Sequence, residues 1–389
     1  MVQRAWHWGL AELLDPECPA LRLSAAGDVP AAAQVDQEHF LRTIAAFPPN
    51  TVSAAIRFFF NPVAPTPQDR LSIALIGQAT TDDVITGLAT LLRDGPIRRL
   101  HRLSETPEIG IPWKQLAYAC DIVRPLHALE ATVSPEFNAK ALPAYCMVRP
   151  FLPREDNDYL LLDRILSHLR EPVVVEVRVE PTDISQEVSA FIRYVSHLQQ
   201  VNRSWDIEDE DLVGDDWRYG GEDHRASLQP IRPLRTRDPV VEDVLRQAQR
   251  FVERLSSPHL RFHVRCFTQS EEVARLVASV VAESALEEGS YCLCDSHLRD
   301  RSCGTMPGEQ NQPHTAISSS LQRTLTNCKA IPYDVLARFA VVAPVNELVG
   351  LFRFPMASRG SPCCIRKNTD PPNVGEEEML LVGEDAQFL

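Results

Sequence analysis

The chain has 389 residues, 44% of them hydrophobic and 24% charged, the make-up of an ordinary folded protein, which excludes wholesale disorder and membrane insertion. Lys and Arg number 39 against 53 Asp and Glu, a net charge of −14, and that surplus repels duplex DNA unless basic residues cluster. The opening MVQRAWHWGLAELLDPE meets acids and a proline too early for an export signal, so the ten cysteines are expected as free thiols of a cytoplasmic protein.

An N-terminal segment, 1–35, ends in the small-residue stretch SAAGDVPAAAQV. The first α/β unit, 36–104, opens with a predicted helix at 36–46, where Phe40, Leu41 and Ile44 make one apolar face. SAAIRFFF (53–60) reads as a buried strand ended by Asn61 and Pro62, and LSIALIG (71–77) as a half-buried one. TTDDVITGLATLLRDGP follows as a helix with Val84, Ile85, Leu88, Leu91 and Leu92 inward, and IRRLHRL (97–103) is a third strand. Residues 105–150 form a proline-rich connection.

The second α/β unit, 151–290, begins with a helix at about 157–170. PVVVEVRV (172–179) is a strong strand with Val173, Val175, Val177 and Val179 on one face. Ser185 is expected to cap a helix carrying Val188, Phe191, Ile192 and Val195. An acidic loop, 204–224, is then inserted, with Trp205, Trp217 and Tyr219 among its carboxylates. Asp238 and Pro239 restart a helix as N-cap and first position, with Val241, Val244, Leu245, Ala248, Phe251, Val252 and Leu255 inward. LRFHVRCF (260–267) is a strand, and Ser270 opens a helix whose stripe is Val273, Leu276, Val277, Val280 and Val281. A loop-rich and helical segment, 291–355, ends in PVNELVGLFRFP, and a tail, 356–389, completes the chain.

The most specific local chemistry is Cys292, Cys294 and His297, followed by Cys303. Four such ligands suffice for zinc, but C-x-C is tighter than the usual knuckle, and two cysteines two apart also pack as ordinary strand residues. No metal is therefore assigned, and no catalytic or cofactor-binding residue either. Asp206, Glu208, Asp209, Glu210, Asp211, Asp215 and Asp216 lack calcium-loop spacing and read as a solvated run. Arg246, Arg250 and Arg254 make a basic row on a helix, partly balanced by Glu242 four residues before Arg246. Cys363 and Cys364 sit in a proline-flanked loop. No G-x-S-x-G occurs, and none of the four lysines follows a phosphate-cradling glycine loop.

Several segments occur in a familiar order: RPFLPREDNDYLLLDRIL, EPVVVEVRVEPTDIS, DPVVEDVLRQAQRFVERLSSPHLRFHVRCF, EEVARLVASVV and APVNELVGLFRFP. Together with IRFFFNPVAPTPQDRLSIALIG they resemble the region ahead of the motor domain in HerA/FtsK-like ATP-binding proteins, including ATPases of conjugation and type IV secretion. The family's catalytic residues lie in the P-loop domain, which this sequence does not contain, so none is carried over.

The sequence thus leads to an α/β (α+β) fold of two small sheet-plus-helix units, a ferredoxin-like arrangement being one option, followed by an irregular helical segment and tail. The function it implies is non-catalytic assembly in a DNA-translocation or defence complex, with a protein partner such as a P-loop motor ATPase. Direct nucleic-acid binding is disfavoured, and an oligomer is compatible. The alternatives are a metal-dependent hydrolase using a Cys/His site near 292–303 and a truncated ATPase remnant.

Overall fold

A computed structural model describes residues 4–14, 29–65, 70–94, 101–104, 111–132, 142, 144–154, 160–211, 238–287, 289–297, 333–354 and 367–368. In chain order these form β1 (Arg4–Leu14), α1 (Val29–Ala45), β2 (Val52–Phe60), β3 (Leu71–Ala79), α2 (Asp82–Asp94) and β4 (His101–Ser104). A 3-10 turn (Trp113–Gln115) precedes β5 (Tyr118–Val123), β6 (Leu126–Glu130), β7 (Ala144–Val148), α3 (Leu160–His168) and β8 (Val173–Pro181). Then come α4 (Ser185–Asp211), α5 (Pro239–Arg254), β9 (His259–Thr268), α6 (Glu271–Ala285) and β10 (Cys292–His297). The last described part holds α7 (Tyr333–Ala337), a 3-10 turn (Arg338–Ala340), β11 (Val342–Pro344), α8 (Val345–Leu348) and β12 (Lys367–Asn368).

Helices and largely antiparallel sheet are combined, as the α/β reading expects. Ten strands join in the order β10-β5-β9-β8-β2-β3-β1-β12, with β11 also on β9 and β4 also on β1. The strands of units 36–104 and 151–290 share this one sheet, because β2 pairs with β8 from Ala54 opposite Val179 to Phe60 opposite Val173. The stretch 105–150 is more than a connection. It supplies β5, which lies between β9 and β10, and the β6–β7 hairpin. Its described prolines Pro112 and Pro125 stand beside these elements rather than in them, where a missing N–H costs no ladder bond.

Local chemistry explains the element ends. α1 begins at Val29 rather than 36, with Pro30 in its first turn and three good helix formers, Ala31, Ala32 and Ala33, next. Asn50 takes a left-handed φ of 63° in the turn into β2, a conformation asparagine tolerates well. At α5, the Asp238 side chain accepts from the Val240 N–H and Pro239 occupies the first turn, as expected. At α4, Asp183 rather than Ser185 does the capping, since its carboxylate accepts from the Ser185 N–H at 2.9 Å and hydroxyl at 2.5 Å. The acidic segment is also partly corrected: residues 204–211 continue α4, and 212–224 lie outside the described residues.

One face of the sheet carries the main core. Phe40, Leu41 and Ile44 of α1, Leu88 and Leu92 of α2, Leu162 and Leu166 of α3, and α6 pack on Ile56, Phe58, Val175, Val177, Phe262 and Val264. Each such side chain, once buried, contributes about 1.5–3 kcal/mol. α6 packs through Ala274, Val277, Ala278, Val281 and Ala282, while Leu276 is 46% exposed. The buried stripe thus runs through alanines and valines, and Leu276, expected inward, lies outside it. Leu91 of α2 is likewise at the surface.

A second cluster joins α4, α5, α7 and the β6–β7 hairpin, centred on Phe191, Phe251 and Phe339 in edge-to-face contact. Between the clusters lies a buried ion network. Arg124, at the β5–β6 corner, donates to the carbonyls of Phe339 at 3.4 Å and Val342 at 2.8 Å and to Glu347 at 2.5 Å. Glu347 also accepts from the Phe151 N–H at 2.9 Å and Arg254 at 3.1 Å. Just past α8, a Cβ at position 350 would stand 2.8 Å from the Pro153 Cβ and 3.0 Å from the Ala285 carbonyl, so Gly350 permits this approach. Among the described residues no helix is long and apolar enough to cross a membrane.

Candidate functional site

Strand alternation that sends Val175, Val177, Ile56 and Val264 into the main core sends their neighbours to the opposite face. There the register aligns Asp121 of β5 with Arg265 of β9, Arg265 with Glu176 of β8, and Glu176 with Arg57 of β2. Charges therefore alternate across four adjacent strands, and opposite charges directly across a ladder attract. Arg57 donates to Glu176 Oε2 through Nε at 3.0 Å and Nη2 at 2.7 Å. Arg178, two residues along β8, holds the other oxygen, Oε1, at 3.0 Å. Arg265 grips Asp121 with Nε on Oδ1 and with Nη2 on Oδ2 at 2.6 Å, a bidentate fork.

These groups are shielded: Arg57 is 3% exposed and Glu176 5%. Burial by itself raises the Glu176 pKa, but Arg178 and Arg57 more than offset it, and the carboxyl is held below its ordinary range. His263, opposite Arg178, is shifted in the same direction, with the opposite consequence for its charge. Burial, then Arg261, Arg265 and Arg178, bring it down to about 3, so it is neutral at physiological pH. At one end of the row the segment 111–116 packs over the sheet, with Ile111 and Leu116 against Phe59, Val174 and Phe267. Trp113 stands edge-on to Phe267 at 5.4 Å and has the Arg57 guanidinium 5.1 Å above its ring. Trp113 itself remains 37% exposed.

Chemically, the row is a set of closed pairs. Both carboxylates are bonded by arginines, which makes them poor general bases, and His263 does not titrate near neutrality. Three of the described thiols are equally quiet: burial pushes Cys146 up to about 12, and raises Cys266 and Cys292 as well. What the row supplies is an ordered polar layer next to an exposed aromatic, an arrangement suited to contact rather than bond-making.

No protein-family model and no curated protein matches this chain.

Of the four zinc candidates, the structure describes the side chains of Cys292 and Cys294. Cys292 and Cys294 lie on the outer strand β10 opposite Val123 and Asp121. His297 is opposite Tyr118 in the same ladder. Cys303 lies outside the described residues, as do Trp217, Tyr219, Cys363 and Cys364. Among the described residues no group of three or more His, Cys, Asp or Glu side chains is placed to hold a metal ion. In the basic row of α5, Arg246 pairs with Glu242 at 3.8 Å as expected, whereas Arg254 turns inward to Glu347.

Sequence reasoning passed over Arg57, Asp121, Glu176, Arg178 and Arg265. A signal was present. Arg57 interrupts an otherwise apolar strand, and Glu176 and Arg178 alternate with valines at period two. Charges inside two-sided buried strands need partners, so they can be sought on the neighbouring strands.

Proposed function

We propose that this chain is a non-catalytic assembly protein of the cytoplasm, akin to the region ahead of the motor domain in HerA/FtsK-like ATP-binding proteins, and that it docks on a motor ATPase or another protein partner. The observation that carries this reading is the closure of the polar row: Asp121 and Glu176 are each taken up by arginines. That leaves a buried polar row beside the exposed Trp113, with neither carboxylate free to act as acid or base. The sequence supports it too, since no lysine follows a glycine-rich loop able to cradle phosphates. A net charge of −14 favours a protein partner with a basic surface over a nucleic-acid backbone.

The test is made on the purified full chain. It is expected to hydrolyse ATP no faster than a buffer control, and to co-purify with a P-loop motor ATPase expressed from a neighbouring reading frame. Hydrolysis that survives removal of contaminating ATPases, or stoichiometric zinc by elemental analysis, overturns the reading in favour of an enzyme.

A further inference from the structure

His259 begins β9, is 5% exposed, and sits opposite Pro344 of β11. Its Nδ1 is 2.6 Å from the Ser257 carbonyl oxygen. A carbonyl only accepts, so Nδ1 carries the hydrogen and Nε2 presents a bare lone pair. That Nε2 is buried and has no hydrogen-bond partner among the described residues. Pro344 lacks an N–H that could serve as donor. Protonating Nε2 would create a buried cationic donor with no acceptor, an arrangement the folded site strongly resists.

The surroundings connect this nitrogen to the segment 341–354. Phe262 N–H donates to the Val341 carbonyl at 2.8 Å and Val345 N–H to the Pro258 carbonyl at 3.1 Å, so β11 and α8 are laid along the start of β9. Of the charged groups around it, Arg124 from the β5–β6 corner and Glu347 from α8 act on it directly, and Arg254 from the last turn of α5 is bonded to Glu347. Arg261 of β9 pairs opposite Val342, and Arg353 is buried in the segment 341–354. Glu347 is bonded by Arg124, by Arg254 and by the Phe151 N–H, leaving it little capacity to receive a third cation.

We propose that His259 makes residues 341–354 an acid-released strap, in which proton uptake from solvent at Nε2 frees β11 and α8 from the body of the protein. Burial and Arg124 lower the His259 pKa, while the Ser257 carbonyl and Glu347 work against them, burial being the largest cause. A histidine with a lowered folded pKa stabilises the closed form above its ordinary value of 6.5 and progressively less as the pH falls from there toward the folded value.

Hydrogen–deuterium exchange of the full chain, corrected for the intrinsic pH dependence of exchange, tests this. Between about pH 7.5 and about pH 5.5, protection of 341–354 should fall about tenfold relative to β3 and α2, which lie away from His263, the factor one pH unit below an ordinary histidine pKa gives. His259→Asn, which retains a donor for the Ser257 carbonyl but does not titrate, should abolish that selective loss, as should His259→Phe. Protection of 341–354 in the unmodified chain that tracks β3 and α2 overturns the proposal, whatever the variants do. So does a folded variant that keeps the same pH dependence.

Discussion

Glu176 and Glu347 are both buried carboxylates gripped by two arginines, yet they join different kinds of neighbours. Glu176 is bonded from β2 and from its own strand, where backbone ladders already hold the parts together. Glu347 collects Arg124, Phe151 and Arg254, which are 223, 196 and 93 residues away in sequence. Among the described residues no ladder links α5, the β5–β6 corner and α8 to one another. The first carboxylate thus neutralises charges within a frame that exists without it, while the second is itself part of the frame. Buried ion pairs of similar geometry can therefore differ in structural weight, and the difference lies in what else connects the partners.

The largest expected effect follows from Glu347→Ala. Arg124 would be left buried without its carboxylate, and breaking a buried pair in this way costs about 3–5 kcal/mol. Urea melts monitored by circular dichroism measure it, and a loss no greater than that of a Glu176 variant would remove the distinction between the two sites. Glu176→Gln should cost less, about 1–3 kcal/mol, because an amide still accepts from one arginine.

The Glu176 cost should also depend on pH. Its folded pKa is lowered, so its contribution is complete above the ordinary value of 4.5 and disappears as the pH falls through the folded value. The stability gap between the unmodified chain and Glu176→Gln should therefore narrow in acid, and a gap that stays constant contradicts the pairing. The smallest effect belongs to the solvated pair Arg42 and Glu38, 2.6 Å apart on α1 with side chains 58% and 31% exposed. Glu38→Ala should shift stability by no more than about 0.5 kcal/mol and less still in high salt.

Much of the main core was legible because its strands and helices have clean periodicity. β2, β3, β8, β9, α5 and α6 all fall where apolar alternation or helical spacing places them, and their ends agree with proline, asparagine and capping signals. What periodicity does not supply is partnership. Val173 to Val179 shows which residues share a face, but not that Phe58 of β2 lies across from Val175. For the same reason the strands of the two units were assigned to separate sheets. Short strands such as β6 and β7, five residues each, carry too few alternations to stand out between prolines. The acidic start of 204–224 looked like loop because its composition is polar, yet a helix already nucleated at Ser185 extends through Asp211 at little additional cost. Arg124 and Glu347 left no local trace, since each is an isolated charge whose meaning exists only once distant segments meet.

The central position of β2 has a consequence for how the chain is made. Its inner neighbour β3 follows almost at once, but its other neighbour β8 pairs Glu176 with Arg57, 119 residues later. At ordinary translation rates roughly ten seconds separate the emergence of the two. Throughout that interval a strand rich in phenylalanine has one row of backbone donors and acceptors without its native partner. Non-local pairing of this kind slows folding, and the wait is spent in a form able to associate with other nascent chains. Yield from a cell should accordingly respond to chaperone supply and growth temperature more than the stability of the finished fold would suggest.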